Sequence, residues 1–247
     1  MTILLTRSKA QNEQLRLQIF ETGMAISESD VKSLPLLRAE PLSLSEASKQ
    51  AVLSLDQYDD ILFISKNAAG FGLNLLEQYW PQWPLSLRWL AVGAGTAEAL
   101  SPANVEVIYP QSASSEGLLA MAELKDMSTR KCLIVRGVGG RETLRQGLEA
   151  RGAIVNYLEV YRRLLNPIAA IELPQNKKAI VLLYSGEAIT HFKSLCGKEL
   201  EEYRLIVPSR RLQIMANDLG FAKVELANSQ EDRAMLQVLQ QTLRQVP

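Results

Sequence analysis

The chain repeats itself, and an ordered internal repeat restricts the fold more than any single motif does. Ile3-Leu4-Leu5-Thr6-Arg7 is matched by Cys132-Leu133-Ile134-Val135-Arg136. Eight residues after each arginine stands a leucine, Leu15 or Leu144, and eight further on a glycine, Gly23 or Gly152. Asp60-Ile61-Leu62-Phe63-Ile64-Ser65 parallels Ile180-Val181-Leu182-Leu183-Tyr184-Ser185, and each run leads to a phenylalanine, Phe71 or Phe192. Trp89-Leu90-Ala91-Val92-Gly93 parallels Leu205-Ile206-Val207-Pro208-Ser209. Val105-Glu106-Val107 with Ser112 and Leu118 parallels Ala222-Lys223-Val224 with Ser229 and Met235. The offset between partners drifts along the chain, as loop insertions between two copies produce.

Each copy reads as about four strand–turn–helix units. The strand runs are apolar without alternation, which means burial on both faces and hence a parallel sheet covered by helices. The helices carry apolar stripes: Leu212, Met215, Ala216 and Leu219 in one, Met235, Leu236, Leu239 and Leu243 in another. Gly23, Gly152 and Gly220 stand where left-handed helix stops belong, Ser209 and Ser229 where caps belong, with Asp232 completing a cap-like pattern after Ser229. Two extended segments interrupt the rhythm at equivalent places, Ser33–Arg38 and Tyr157–Arg162, each followed closely by a proline, Pro41 or Pro167. Pro35 argues against a central strand. These segments are expected to be crossings between domains, paired with each other as a two-stranded ladder.

A length of 247 residues suffices for two domains of about 100–120 residues each. Lys plus Arg and Asp plus Glu number 27 each, so no global field draws in nucleic acid or an anionic membrane; any polyanion must be held locally. Three arginines, Arg204, Arg210 and Arg211, lack the aromatic interleaving of a nucleic-acid surface. The amino terminus lacks a basic region followed by a long apolar core, and no stretch approaches the roughly 18 apolar residues of a membrane span. His191 is the single histidine, and Cys132 and Cys196 form no metal or redox spacing. A cytoplasmic protein with reduced thiols and no metal is the expectation.

The motifs, in order, resemble those of the uroporphyrinogen-III synthase family. The family has an Ile-Leu-Leu-Thr-Arg-like start, a hydrophobic strand ending in Thr-Ser before a helix, a Val-Gly-x-x-Thr-Ala element and a Val-Tyr-Arg or Val-Tyr-Gln linker. This chain offers Ile3–Arg7, Phe63-Ile64-Ser65-Lys66-Asn67-Ala68, Ala91-Val92-Gly93-Ala94-Gly95-Thr96-Ala97 and Glu159-Val160-Tyr161-Arg162. It departs at Ile64 and Tyr184, where threonine is frequent, and at Ser8, where proline is common. The resemblance implies two similar flavodoxin-like three-layer α/β domains with parallel sheets, partly swapped and joined by a two-stranded β-ladder. Residues 1–33 plus 168–247 would form one domain, 42–155 the other, and 34–41 and 156–167 the linkers. The repeat alone would divide the chain near residue 128.

In a parallel α/β sheet, ligands bind outside the carboxyl ends of the strands. The turns there are small and hydroxylic: Thr6, Ser65, Gly93, Gly95, Thr96, Ser114, Ser115, Gly137, Gly139, Gly140, Ser185, Gly186 and Ser209. Small residues let backbone amides approach an anion at a helix N-terminus. Arg7, Lys66, Arg136, Arg141 and Arg210 adjoin these turns, although an arginine after a strand is more often solvated or paired with a nearby acid. What the resemblance implies is a polycarboxylate linear tetrapyrrole, hydroxymethylbilane, held by these residues and Asn67 across a cleft between the domains. It is cyclised with loss of water and inversion of the last ring. No cofactor is implied, the protein is expected to be a monomer, and transient contact with the preceding pathway enzyme is left open. Selective positioning then does most of the catalysis. Tyr161, in the family's linker motif, is the candidate general acid for the departing hydroxyl, against the alternative of a packing tyrosine.

Two other functions compete. A nicotinamide enzyme is disfavoured because Gly93-Ala94-Gly95-Thr96-Ala97-Glu98 and Gly137-Val138-Gly139-Gly140-Arg141-Glu142 both miss the third glycine of the dinucleotide fingerprint. A two-domain small-molecule anion-binding protein without catalysis is the non-enzymatic alternative.

Overall fold

The computed structural model describes residues 1–173, 178–197 and 200–245. In chain order the first strands are β1 (Thr2–Leu5), β2 (Val31–Ser33), β3 (Leu37–Pro41), β4 (Asp60–Phe63), β5 (Arg88–Ala91) and β6 (Val107–Ile108). Then follow β7 (Lys131–Gly137), β8 (Ile154–Leu165), β9 (Ala179–Leu182), β10 (Tyr203–Val207) and β11 (Lys223–Leu226). The helices are α1 (Lys9–Glu21), α2 (Glu46–Leu53), α3 (Lys66–Leu76), α4 (Ala94–Ala99) and α5 (Ser115–Ala120), continued by α6 (Thr143–Glu149), α7 (Ile168–Glu172), α8 (Gly186–Cys196), α9 (Arg210–Asp218) and α10 (Asp232–Gln245). The chain forms two compact units, Met1–Arg38 with Leu164–Pro247, and Ala39–Arg163.

In the first unit the sheet order is β11-β10-β9-β1-β2, with every pair parallel. Counted in chain order this is 2-1-3-4-5, the flavodoxin-like arrangement. Ile3, Leu5, Ile180, Leu182 and Ile206 pack to one face against α1 and α10 through Leu15, Ile19, Met235 and Leu239. Leu4, Val181, Leu205 and Val207 pack to the other against α8 and α9 through Phe192, Leu212 and Ala216. Both faces are covered, which is why the strand runs carry no polar alternation.

In the second unit the order is β3-β8-β7-β4-β5-β6, and the pairs from β8 to β6 are parallel. Omitting β3, this is the same arrangement with the chain cut elsewhere: β7 and β8 stand where β1 and β2 do, and β4, β5 and β6 stand where β9, β10 and β11 do. The sequence repeat therefore maps strand for strand. Ile61, Phe63, Trp89, Leu133 and Val135 face α2 and α3, while Leu62, Leu90, Cys132 and Ile134 face α5 and α6. β3 and β8 are neighbours at the sheet edge, and the unit boundary falls within both, at Arg38/Ala39 and Arg163/Leu164. Residues 154–159 and 161 of β8 pair with β7 inside the sheet, so most of the extended segment Tyr157–Arg162 belongs to a sheet strand.

Serine starts most of the helices. Ser8, Ser45, Ser65, Ser114, Ser185 and Ser209 each accept a backbone N–H three residues on, at Gln11, Ser48, Ala68, Gly117, Ala188 and Leu212. Gly23 and Gly152, at equivalent repeat positions after α1 and α6, have φ of +68° and +92°, the left-handed conformation that stops a helix. At the amino end of β4, Asp60 is fully buried; Arg88 Nε donates to it at 2.6 Å and Arg130 Nε at 2.7 Å. Among the described residues no helix is long and apolar enough to cross a membrane.

Candidate functional site

A doubly wound sheet has a crevice where neighbouring strands lead to helices on opposite faces. In the second unit this switch point lies between β7 and β4, so Gly137 and Ser65 flank it. Tyr161, on β8, reaches the same place. Its ring stacks on Phe71 of α3 at 5.7 Å between centroids, and its hydroxyl lies 3.2 Å from Ser65 Oγ. Gly137 makes room for the ring, since a Cβ there would sit 2.6 Å from Tyr161 Cζ. The residue is 6% exposed.

A register shift aims this side chain. Arg136 pairs with Glu159, but the next residue, Gly137, pairs with Tyr161, leaving Val160 as the extra residue of a bulge. Leu158 and Val160 already face the α2/α3 side, and strict alternation would send Tyr161 to the other face. The bulge returns it to theirs, and all three pack in one cluster.

The neighbouring turns assemble beside it. Lys66 and Asn67 open α3 and are exposed, and the Lys66 chain crosses Gly95, where a Cβ would lie 2.6 Å from Lys66 Cε. Gly93 is buried against Ala113, and Thr96 is buried with its N–H on Gly93 O at 3.0 Å. Ser114 caps α5, which Ser115 begins. Arg141 pairs with Glu116 at 2.8 Å, both exposed. Thus Tyr161, Ser65, Lys66, Asn67, Gly93, Thr96, Ser114, Ser115, Gly137 and Arg141 come from the carboxyl-end turns and strand ends of a single unit.

Arg136 is engaged internally. Its guanidinium lies 4.4 Å from the centroid of the Tyr157 ring, donates to Glu142 at 3.1 Å, and binds the carbonyls of Gly137 and Gly139. Tyr157 donates to the other Glu142 oxygen at 2.6 Å. That hydrogen bond, then Arg136, holds the Glu142 carboxyl below the usual range, while burial, then Glu142, pushes the Tyr157 phenol up to about 12. With this packing Arg136 ties down its own loop.

The first unit has its switch point between β1 and β9. Thr6 donates across it to Leu182 O at 2.5 Å. Arg7 lies 4.3 Å from the Tyr184 ring centroid and pairs with Asp232 at 2.8 Å. Burial pushes the Tyr184 phenol well up. Asp232 therefore serves Arg7, while Ser229 Oγ accepts the Glu231 N–H at 3.1 Å. Ser185 and Ser209 cap α8 and α9, Gly186 lies under Met215, and Arg210 is exposed and bonded to Gln213. Phe71, Tyr184 and Asp232 are partners that sequence reasoning did not assign; the repeat pairs Arg7 with Arg136 but does not show the tyrosine under each. Among the described residues no group of three or more His, Cys, Asp or Glu is placed to hold a metal ion.

The family model for uroporphyrinogen-III synthase HemD matches residues 28–237. The uroporphyrinogen-III synthase of Escherichia coli is 30% identical over 251 aligned positions, covering 97% of this chain and all of the relative. That of Proteus mirabilis is 31% identical over 212, covering 85% of this chain and 99% of the relative. The fold is shared with uroporphyrinogen-III synthetase from Helicobacter pylori, with a TM-score of 0.62 at 16% identity over 98% of this chain and all of the other. A mutant uroporphyrinogen III synthase from Thermus thermophilus gives 0.57 at 15% identity over the full length of both. Sequence, sheet order and neighbours agree: the chain belongs to the uroporphyrinogen-III synthase family.

Proposed function

We propose that the chain acts as a hydro-lyase, cyclising hydroxymethylbilane to uroporphyrinogen III, as a cytoplasmic monomer without a cofactor. The observation that carries this is the end-to-end match to relatives of that name, across 97% of this chain and the whole of one relative. The chemistry suits the residues. Proton transfer to the terminal hydroxyl lets the C–O bond break and water leave, producing an electrophilic methylene. The substituted carbon of the last ring attacks it to give a spiro intermediate. The bond from that carbon to its original methylene then breaks, and the ring's unsubstituted carbon bonds to the freed methylene. Loss of the proton on this second carbon replaces the one donated, so that water is the net loss and the ring is inverted.

Left alone, the same precursor closes without inversion, so the protein's main task is to hold one carbon and not its neighbour against the electrophile. Carboxylate arms suit the exposed Lys66, the serine-capped turns and their helix N-termini. Tyr161 is the proton donor in this reading, with its hydroxyl at the crevice where β4 and β7 diverge.

The direct test is to generate hydroxymethylbilane in situ, add the protein, oxidise the products and separate the isomers. An excess of type III is expected. Type I alone would leave an anion-binding protein without this chemistry. Replacing Tyr161 with Phe is expected to lower kcat about 100-fold with an unchanged circular dichroism spectrum. A folded Phe variant turning over at the wild-type rate would remove Tyr161 from the mechanism.

A further inference from the structure

Ser65 holds two positions at once. Its Oγ accepts the Ala68 N–H at 3.0 Å as the cap of α3 and lies 3.2 Å from Tyr161 Oη. A serine hydroxyl has one proton and two acceptor lone pairs. One lone pair is engaged by Ala68, so the contact with Tyr161 has two possible senses. If Tyr161 donated to Ser65, the phenol proton would be turned inward and withheld from a substrate. If Ser65 donates to Tyr161, the phenol proton is free to point elsewhere.

We propose that Ser65 is a positioning residue for the general acid: it donates its proton to Tyr161 Oη and so directs the Tyr161 O–H at the substrate's departing hydroxyl. The proposal deepens the functional reading above and rests on Tyr161 being the acid. Three further features fix the same geometry. The bulge turns Tyr161 onto the Ser65 side, Phe71 stacks under its ring, and Gly137 leaves space for it. Ser65 is itself held by the N-terminus of the 11-residue α3.

The arrangement strengthens as the proton is transferred. As the Tyr161 O–H bond breaks, negative charge builds on Oη and the bond between the proton and the leaving hydroxyl forms. The Ser65 O–H is already aimed at that charge, so it needs no reorganisation. A hydrogen bond to a developing anion is stronger than one to the neutral phenol, and the positive end of α3 reinforces it. The contribution belongs to the transition state, so it should appear in kcat and not in KM.

The test is a double-mutant cycle. Ser65→Ala, Tyr161→Phe and the combined variant are assayed for kcat and KM, with Ser65→Thr as the conservative rescue. Ser45→Ala, which removes the cap of α2, is the control for losing a serine cap alone. Ser65→Ala is expected to lower kcat about 10-fold with KM changed less than about twofold. Ser65→Thr should restore most of that rate, and Ser45→Ala should keep wild-type kcat. In the Tyr161→Phe background, Ser65→Ala should cost nothing further. A full additional loss in that background, or a loss confined to KM, would overturn the proposal and make Ser65 a direct substrate contact. An impaired Tyr161→Phe beside an unimpaired Ser65→Ala would sink the role of Ser65 alone. A wild-type Tyr161→Phe would instead sink the general-acid reading.

Discussion

Asp60 and Glu142 are acids between cationic or phenolic partners, yet burial gives them different consequences. Asp60 is 0% exposed and takes hydrogen bonds from Arg88 and Arg130, whose side chains are 28% and 31% exposed. Removing its charge leaves two arginines that water can partly rehydrate, so Asp60→Asn is expected to cost about 2–3 kcal/mol, between the values for an exposed pair and for a fully buried one. A urea midpoint unchanged at constant slope would contradict this. Glu142 is exposed, and its depressed carboxyl contributes above the unfolded value and is lost as pH falls through the folded one. Protection of the 137–142 amides, taken relative to their intrinsic exchange rates, should therefore be lost only in acid below the ordinary carboxylate range. Burial pushes both thiols, Cys132 and Cys196, up to about 12, with the Asp60 charge adding to the effect at Cys132. Neither should react with a thiol reagent at pH 8 until urea unfolds the chain; stoichiometric labelling of the native protein would refute that. At this scale the sequence showed which residues border the turns but not what they do there. Arg7 and Arg136 are equivalent in the repeat, and each lies over a tyrosine and pairs with an acid. Tyr184, Asp232 and Tyr157 come from other segments and no local spacing announces them, while Glu142 stands in the loop that follows Arg136 itself.

Elements were easier to read than contacts, because their signals are local. Serine caps, glycine stops and unbroken apolar runs located strands and helices directly. β8 is the exception. Its 12 residues include Tyr157–Arg162, which by sequence alone has the look of a linker, and its bulge has no sequence mark. Strict alternation misplaces Tyr161 by one face, and only the register with β7 corrects it. Two glycines make opposite predictions here. At Gly137 an added Cβ would press on the Tyr161 ring at 2.6 Å. Gly137→Ala should then cost about 1–3 kcal/mol by overpacking and lower kcat by displacing the phenol. At Gly70, inside α3, an added Cβ meets nothing within 4 Å. Gly70→Ala should stabilise by about 0.5–1 kcal/mol. Thermal unfolding of the two variants, shifting in opposite directions, is the check.

At the scale of the whole molecule the repeat was the strongest signal, and it reappears as one strand order built twice with different chain connections. The second unit, Ala39–Arg163, is a single uninterrupted stretch whose two core clusters come wholly from itself. Residues 39–163 expressed alone should unfold cooperatively in urea with native-like helix content. A non-cooperative transition would mean that this sheet depends on the rest of the chain. The first unit has no such independence, because β1 and β2 need β9, which begins roughly 145 residues after β2 ends. On the ribosome, at about 5–20 residues per second, that is a delay of roughly 7–30 s. During it the apolar Ile3-Leu4-Leu5 segment is made but has no partner on its β9 side. The nascent chain therefore carries an apolar strand with one open side from early in its synthesis, and the middle of the polypeptide is free to finish folding before its beginning can.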